Sequence, residues 1–185
     1  MEISLVTLDS LRGEMRALGK EGFIEKYPGA FLLAMGYLSV EAIQAGRRTA
    51  EAVRQDSRDA TAAITFGSRL RHDGAQAHPL AGCAFYLRPT TKTAVAIGRS
   101  GECEITIPDN AVSEQHCQIE ITDSGVQVLD TNSTNGTSVN LKRLEPFEPH
   151  ILADEDILSV GRYSFQLLSS PTFATEIQLL NVLDD

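Results

Sequence analysis

Between residues 84 and 167 the chain repeats one pattern: a few residues of alternating apolar and polar side chains, then a turn signal. Glu104-Ile105-Thr106-Ile107, Gln118-Ile119-Glu120-Ile121 and Val126-Gln127-Val128 alternate strictly. Ala84-Phe85-Tyr86-Leu87, Thr93 to Ile97, Asp156 to Val160 and Tyr163 to Leu167 are the other strand candidates. Ser100-Gly101, Pro108-Asp109-Asn110, Asp123-Ser124-Gly125 and Asn135-Gly136 separate them. Alternation places every second side chain on one face of an extended chain, so each segment has one face to bury. Many short strands at close spacing satisfy that need by packing two antiparallel sheets face to face. The expected fold is therefore mainly β, a sandwich of short antiparallel strands.

The flanks read differently. Leu8, Leu11, Met15 and Leu18 recur at helical spacing and predict a helix over residues 1–20, with Gly19 as its stop. Tyr27-Pro28-Gly29 is a turn signal, and Phe31 to Met35 is an apolar run too short to type as helix or strand. Residues 40–64, rich in Ala, Glu, Gln and Arg, predict a second helix, largely solvated because its apolar positions are sparse. Gly67, Gly74 and Pro79 mark a boundary. The expected organisation is a helical N-terminal extension over 1–78, the sandwich over 79–169, and a short helix over 170–185 packing on it. Ser170-Pro171 reads as the cap and first residue of that helix, and Phe173, Ile177, Leu180 and Leu183 form its apolar stripe.

Charge narrows the function. The net charge of −9 falls wholly in residues 81–185, which hold six Lys and Arg against fifteen Asp and Glu. Nucleic-acid affinity comes from neutralising phosphates with many cations, so nucleic acid is not expected as a partner. No apolar run is long enough to span a bilayer, and Met1-Glu2-Ile3-Ser4 lacks a basic region leading into an apolar one. A cytoplasmic protein without membrane contact is expected. Cys83, Cys103 and Cys117 are odd in number and have no metal-like spacing. They read as small buried residues in a reducing compartment, and neither a metal nor a cofactor is expected. The sequence shows no Gly-x-Ser-x-Gly, Gly-x4-Gly-Lys or His-Glu-x-x-His pattern, so an enzyme is not expected either.

What the loops offer instead is an anion site. Ile97-Gly98-Arg99-Ser100, Ser113-Glu114-Gln115-His116 and Asn132-Ser133-Thr134-Asn135-Gly136-Thr137 gather glycine, arginine, small hydroxyls and asparagine between strands. Arginine is a planar fork of donors matched to phosphate oxygens. Serine hydroxyls and backbone N–H groups complete a cradle, and asparagine can hold a peptide main chain. Gly136 suits a turn needing positive φ.

Taken in order, Ile97 to Ser100, Ile105 to Asp109 with Val112, Ser113 and His116, Val128 to Asp130 with Ser133 to Thr137, and Leu152 to Gly161 closing on Phe165 resemble the forkhead-associated (FHA) domain. The resemblance covers about residues 81–169. It implies an FHA-type β-sandwich that binds phosphothreonine peptides in protein–protein interaction and signalling of a bacterial type. It implies that Arg99, Ser113 and Thr134 meet the phosphate, Ser100 adds a further contact, and Asn135 holds the ligand main chain. Gly98, His116 and Gly136 would support the pocket, His116 as a brace and not as a proton carrier. The implied partner is a phosphothreonine-containing protein such as a Ser/Thr kinase or its substrate, with self-association also open.

Three positions depart from the family pattern. Glu114 stands where a basic or amide residue is common, Leu141 follows Asn140 where glycine is common, and Glu155 replaces the glycine of the Leu-x-Asp-Gly-Asp turn. Glu114 and the acidic surroundings oppose a ligand carrying about −1.5 to −2 charge. They keep a second reading open, a phosphate-independent scaffold or oligomerisation domain with a weakened pocket.

Overall fold

The computed structural model describes residues 4–37, 80, 82–89, 94–122 and 125–183. The helix expected over 40–64 and the boundary placed at 67–80 lie almost wholly outside them.

Among the described residues the strands are β1 (Ser4–Thr7), β2 (Ala30–Tyr37), β3 (Cys83–Leu87), β4 (Ala94–Gly98), β5 (Ile105–Thr106) and β6 (Cys117–Thr122). They continue with β7 (Gly125–Asp130), β8 (Thr137–Val139), β9 (Lys142–Arg143), β10 (His150–Leu152), β11 (Ile157–Val160) and β12 (Tyr163–Ser169). The helices are α1 (Leu8–Lys26) and α2 (Ser170–Leu183). One sheet runs β1-β3-β2-β12-β11-β8-β9 and the other β10-β7-β6-β4-β5. Pairing is antiparallel except between β4 and β5. No helix among the described residues is long and apolar enough to cross a membrane.

The inner faces of the two sheets enclose the main core, with Phe85, Ile97, Ile107, Ile119, Val128, Leu158 and Phe165 at its centre. The outer face of the seven-stranded sheet is covered too. Leu8, Leu11, Met15 and Phe23 of α1 and Phe173, Ala174 and Ile177 of α2 pack there against Phe31, Leu33, Ala84 and Tyr86. The rings of Phe31 and Phe173 stack with centroids 4.1 Å apart.

This second core changes the organisation expected from sequence. The N-terminal region is not helical throughout. Its helix is flanked by β1 and β2, and β2 lies between β3 and β12 inside the sheet. Phe31 to Met35 could not be typed because β2 is apolar on both faces. Leu32 and Ala34 face the sandwich, while Phe31 and Leu33 face the helices. A strand covered on both sides has no alternation to read. Gly19 does break the helical conformation, with φ of 69°, but helix resumes beyond it as far as Lys26. Glu14 bridges the break by accepting from Lys26 at 2.6 Å and from the Tyr27 hydroxyl at 2.8 Å. At α2, the capping hydroxyl belongs to Ser169, which accepts from the Thr172 N–H at 3.4 Å, and Ser170 is already helical.

The two turn departures have a common physical character. Leu141 adopts φ of 69° after Asn140 at 51°, and Glu155 adopts 72°. Both are left-handed conformations that glycine takes without strain. Asn140 still holds its turn, donating to Asp156 at 2.6 Å and accepting from the Ile157 N–H at 3.1 Å. Relief of left-handed strain is worth about 1–2 kcal/mol, offset by about 0.5–1 kcal/mol from the freer unfolded chain. Leu141→Gly is therefore expected to raise stability by about 0.5–1 kcal/mol, read as a higher urea midpoint with unchanged slope. A lower midpoint would contradict the strain argument.

Candidate functional site

The loops after β4, before β6 and after β7 meet at one end of the sandwich. The first two approach so closely that a Cβ on Gly98 would collide with the Glu114 carbonyl oxygen and reach within 2.8 Å of Cys103 Sγ. Glycine is needed there for space. Backbone bonds then fix the approach: Arg99 N–H donates to the Ser113 carbonyl at 2.8 Å, and Ser100 N–H to the Glu114 carbonyl at 3.1 Å.

Arg99 leaves this frame half-exposed, its side chain 41% accessible. Its Nε donates to the Val112 carbonyl at 3.3 Å, and its Nη2 lies 3.7 Å from Glu114 Oε1. Glu114 is the more exposed partner at 76%. The carboxylate thus stands against the arginine fork.

Ser113 links this wall to the next. Its Oγ accepts from the Thr134 N–H at 3.0 Å and lies 3.4 Å from Thr134 Oγ1. Asn135 donates from Nδ2 to the Ala111 carbonyl at 2.8 Å. Arg99, Ser113, Thr134 and Asn135 are thereby brought into one row. Ser100 is near but differently engaged: its Oγ accepts from Glu102 N–H at 3.2 Å, closing the β4–β5 turn.

His116 lies beneath the row, fully buried. Its Nδ1 accepts from the Ser113 N–H at 3.1 Å, and its Nε2 is 3.2 Å from the Gly136 carbonyl oxygen. A carbonyl can only accept, so Nε2 carries the proton and the ring is neutral. Burial pushes its pKa below the usual histidine value, against the opposing pull of the Gly136 carbonyl and of Asp130. The unfolded chain therefore takes up a proton as pH drops below about 6.5, before the folded chain does. Stability is expected to fall between pH 7.5 and 5.5, and a non-titrating substitution at His116 should remove that slope. Equal urea midpoints at the two pH values would contradict the neutral brace.

A second brace was not singled out from sequence. Asp130, buried at the end of β7, accepts from Ser133 N–H at 3.0 Å, Ser133 Oγ at 2.6 Å and Thr137 Oγ1. Burial alone would raise its carboxyl pKa, but the hydrogen bonds from Ser133 and Thr137 outweigh it and hold the group below the usual carboxylate range. Asp109 does the same for the β5–β6 loop. It accepts from Ala111 N–H at 2.8 Å, the Tyr163 hydroxyl at 2.8 Å and Arg162. The Ala111 N–H is the largest influence keeping its carboxyl low. The signal available in the sequence was the short spacing Asp130-x-x-Ser133, an Asx-type loop closure.

Arg143 was also missed. Its guanidinium lies flat over Gly136, where a Cβ would stand 2.6 Å from both Cζ and Nε. Gly136 supplies the positive φ of 80° that the turn needs, and the guanidinium packs against it. Of the cysteines, Cys103 and Cys117 are buried while Cys83 is only partly so, and all three are free thiols. Burial pushes the Cys103 and Cys117 thiols up, away from the reactive thiolate.

Residues 95–161, which include these loops, match the FHA domain family. Over that stretch the chain is similar to FHA domains. It is 34% identical over 93 residues to the oxoglutarate dehydrogenase inhibitor of Corynebacterium efficiens, covering 50% of this chain and 61% of the relative. It is 34% identical over 94 residues to the glycogen accumulation regulator GarA of Mycolicibacterium smegmatis, covering 50% of this chain and 55% of the relative. The match thus spans little more than half the length of these curated relatives. A solved chain from work on phosphothreonine-dependent FHA domain interactions shares 29% identity, with a TM-score of 0.42, over 52% of this chain and 88% of its own.

Proposed function

We propose that this chain is a phosphothreonine-peptide-binding module acting in protein–protein interaction and signalling, and not an enzyme. The observation that carries the reading is the contiguous row of Arg99, Ser113, Thr134 and Asn135, held between three loops by the Arg99 N–H to Ser113 carbonyl bond, the Thr134 N–H to Ser113 Oγ bond and the Asn135 Nδ2 to Ala111 carbonyl bond. Arg99 and the Ser113 and Thr134 hydroxyls suit a phosphate dianion, and Asn135 suits the peptide main chain. Ser100 is the weakest member, since its hydroxyl already serves its own turn. The regulator and inhibitor names of the relatives support a binding role. The partner would be a phosphorylated protein such as a Ser/Thr kinase or its substrate, in the cytoplasm.

The same reading sets the working unit. The FHA domain runs over about 79–169, but β2 and the two helices complete its outer layer. We therefore treat residues 4–37 and 170–183 as parts of one folding unit with it. Titration with one peptide in phosphothreonine, phosphoserine and unmodified forms tests the function. Binding confined to the phosphothreonine form is expected. Equal binding of the unmodified form would instead favour a phosphate-independent scaffold, the reading that the Arg99–Glu114 pair keeps in play.

A further inference from the structure

The row of proposed contact residues is charged oppositely at its two ends. At one end Glu114 stands 3.7 Å from Arg99, backed by the β4–β5 loop through the Ser100 and Cys103 bonds to its carbonyl oxygen. The row then passes from Arg99 to Ser113, whose carbonyl accepts from Arg99 N–H, and from Ser113 to Thr134. Asn135 and Gly136 follow. At the other end the Arg143 guanidinium lies over Gly136, carried by β9 on the edge of the seven-stranded sheet. Both end groups are exposed, so each can meet a ligand side chain without moving the frame.

We propose that Glu114 and Arg143 make this pocket read charge order along the peptide: a basic residue on one side of the phosphothreonine, at Glu114, and an acidic residue on the other, at Arg143. This rests on the phosphothreonine reading above. Three charges meet at the Glu114 end. The phosphate must compete with the Glu114 carboxylate for Arg99, and like charge this close disfavours binding. A lysine or arginine in the ligand turns that penalty around by taking Glu114 as its own partner. An acidic residue there would face Glu114 unpaired. At the opposite end the exposed Arg143 guanidinium, lying against Gly136, offers a fork to a carboxylate. The polarity also gives the peptide a direction, because reversing it would bring like charges together at both ends.

The test uses four phosphothreonine peptides of one composition type: basic-then-acidic flanks, acidic-then-basic flanks, both basic and both acidic. One of the two mixed orders is expected to bind at least about fivefold tighter than the other at low salt, with the difference shrinking at high salt. The double variant E114K/R143E is expected to reverse the preferred order. Phosphate-dependent binding that ignores order, or an order preference that survives the charge swap, overturns this inference alone. Binding that ignores the phosphate overturns both it and the reading beneath it.

Discussion

Arg99→Ala is expected to weaken phosphothreonine-peptide binding by about 2 kcal/mol or more, about thirtyfold in Kd. The size follows from where the side chain sits. Arg99 is attached to the frame by its own N–H to the Ser113 carbonyl and by Nε to the Val112 carbonyl, so its fork is oriented before any ligand arrives. Orientation before binding removes an entropy cost that a free surface arginine would incur. Removing the fork leaves a doubly charged phosphate with hydroxyl donors only, beside a Glu114 carboxylate that no longer has a partner. The backbone bond to Ser113 survives the substitution, so the fold should be kept and the loss confined to ligand affinity. Titration calorimetry of the variant against phosphorylated and unmodified peptide separates the two. A loss smaller than about threefold would mean that the phosphate is held elsewhere.

Asp130→Ala acts on stability instead, with an expected loss of about 3 kcal/mol. The carboxylate accepts three hydrogen bonds from Ser133 and Thr137 in a buried setting. Truncation leaves those donors without water or partner, which is the costly half of breaking a buried charged network. The Ser133 to Gly136 turn is held from beneath by this group, so binding should fall along with the denaturation midpoint. The carboxyl also ties stability to acid. Its pKa in the folded chain lies below its ordinary value of about 3.9, so its contribution is complete above that value. It is lost as pH falls through the folded pKa. The wild-type protein should therefore lose this stabilisation only below about pH 4, and the variant should lack that part of its acid sensitivity. An Asp130→Ala protein as stable as the wild type at pH 7 would contradict the assignment.

The strands that alternate were legible, because one buried face leaves a period of two in the sequence. β6 and β7 are of this kind. β2 was not, since a strand buried on both faces shows only an apolar run. The short strands β8, β9 and β10, of three, two and three residues, hold too few positions for any period. At the site, residue types that carry phosphate chemistry could be read directly from Gly98-Arg99 and Ser133-Thr134-Asn135-Gly136. Gly98, His116 and Gly136 were legible as supports, but Asp130 and Arg143 were not. Asp130 looks like any strand-end acid until the turn folds back on it. Arg143 sits seven residues past Gly136, and only the β8–β9 hairpin, with Ser138 opposite Arg143, brings its guanidinium onto that glycine. Glu114 was legible as a departure, and the structure adds the partner it takes.

The place of β2 has a further consequence, for the order in which the molecule can be made. Its ladder with β12 runs from Ala30 opposite Ser169 to Tyr37 opposite Tyr163. On a ribosome, β2 emerges long before β12 is synthesised. Until then a segment apolar on both faces has only β3 to pair with, and the bed on which α1 rests is missing its neighbour. Pairings this far apart in sequence close late and slowly. The nascent chain must keep Phe31 to Met35 from associating with other chains throughout that interval, which exposes this strand to misassembly during synthesis.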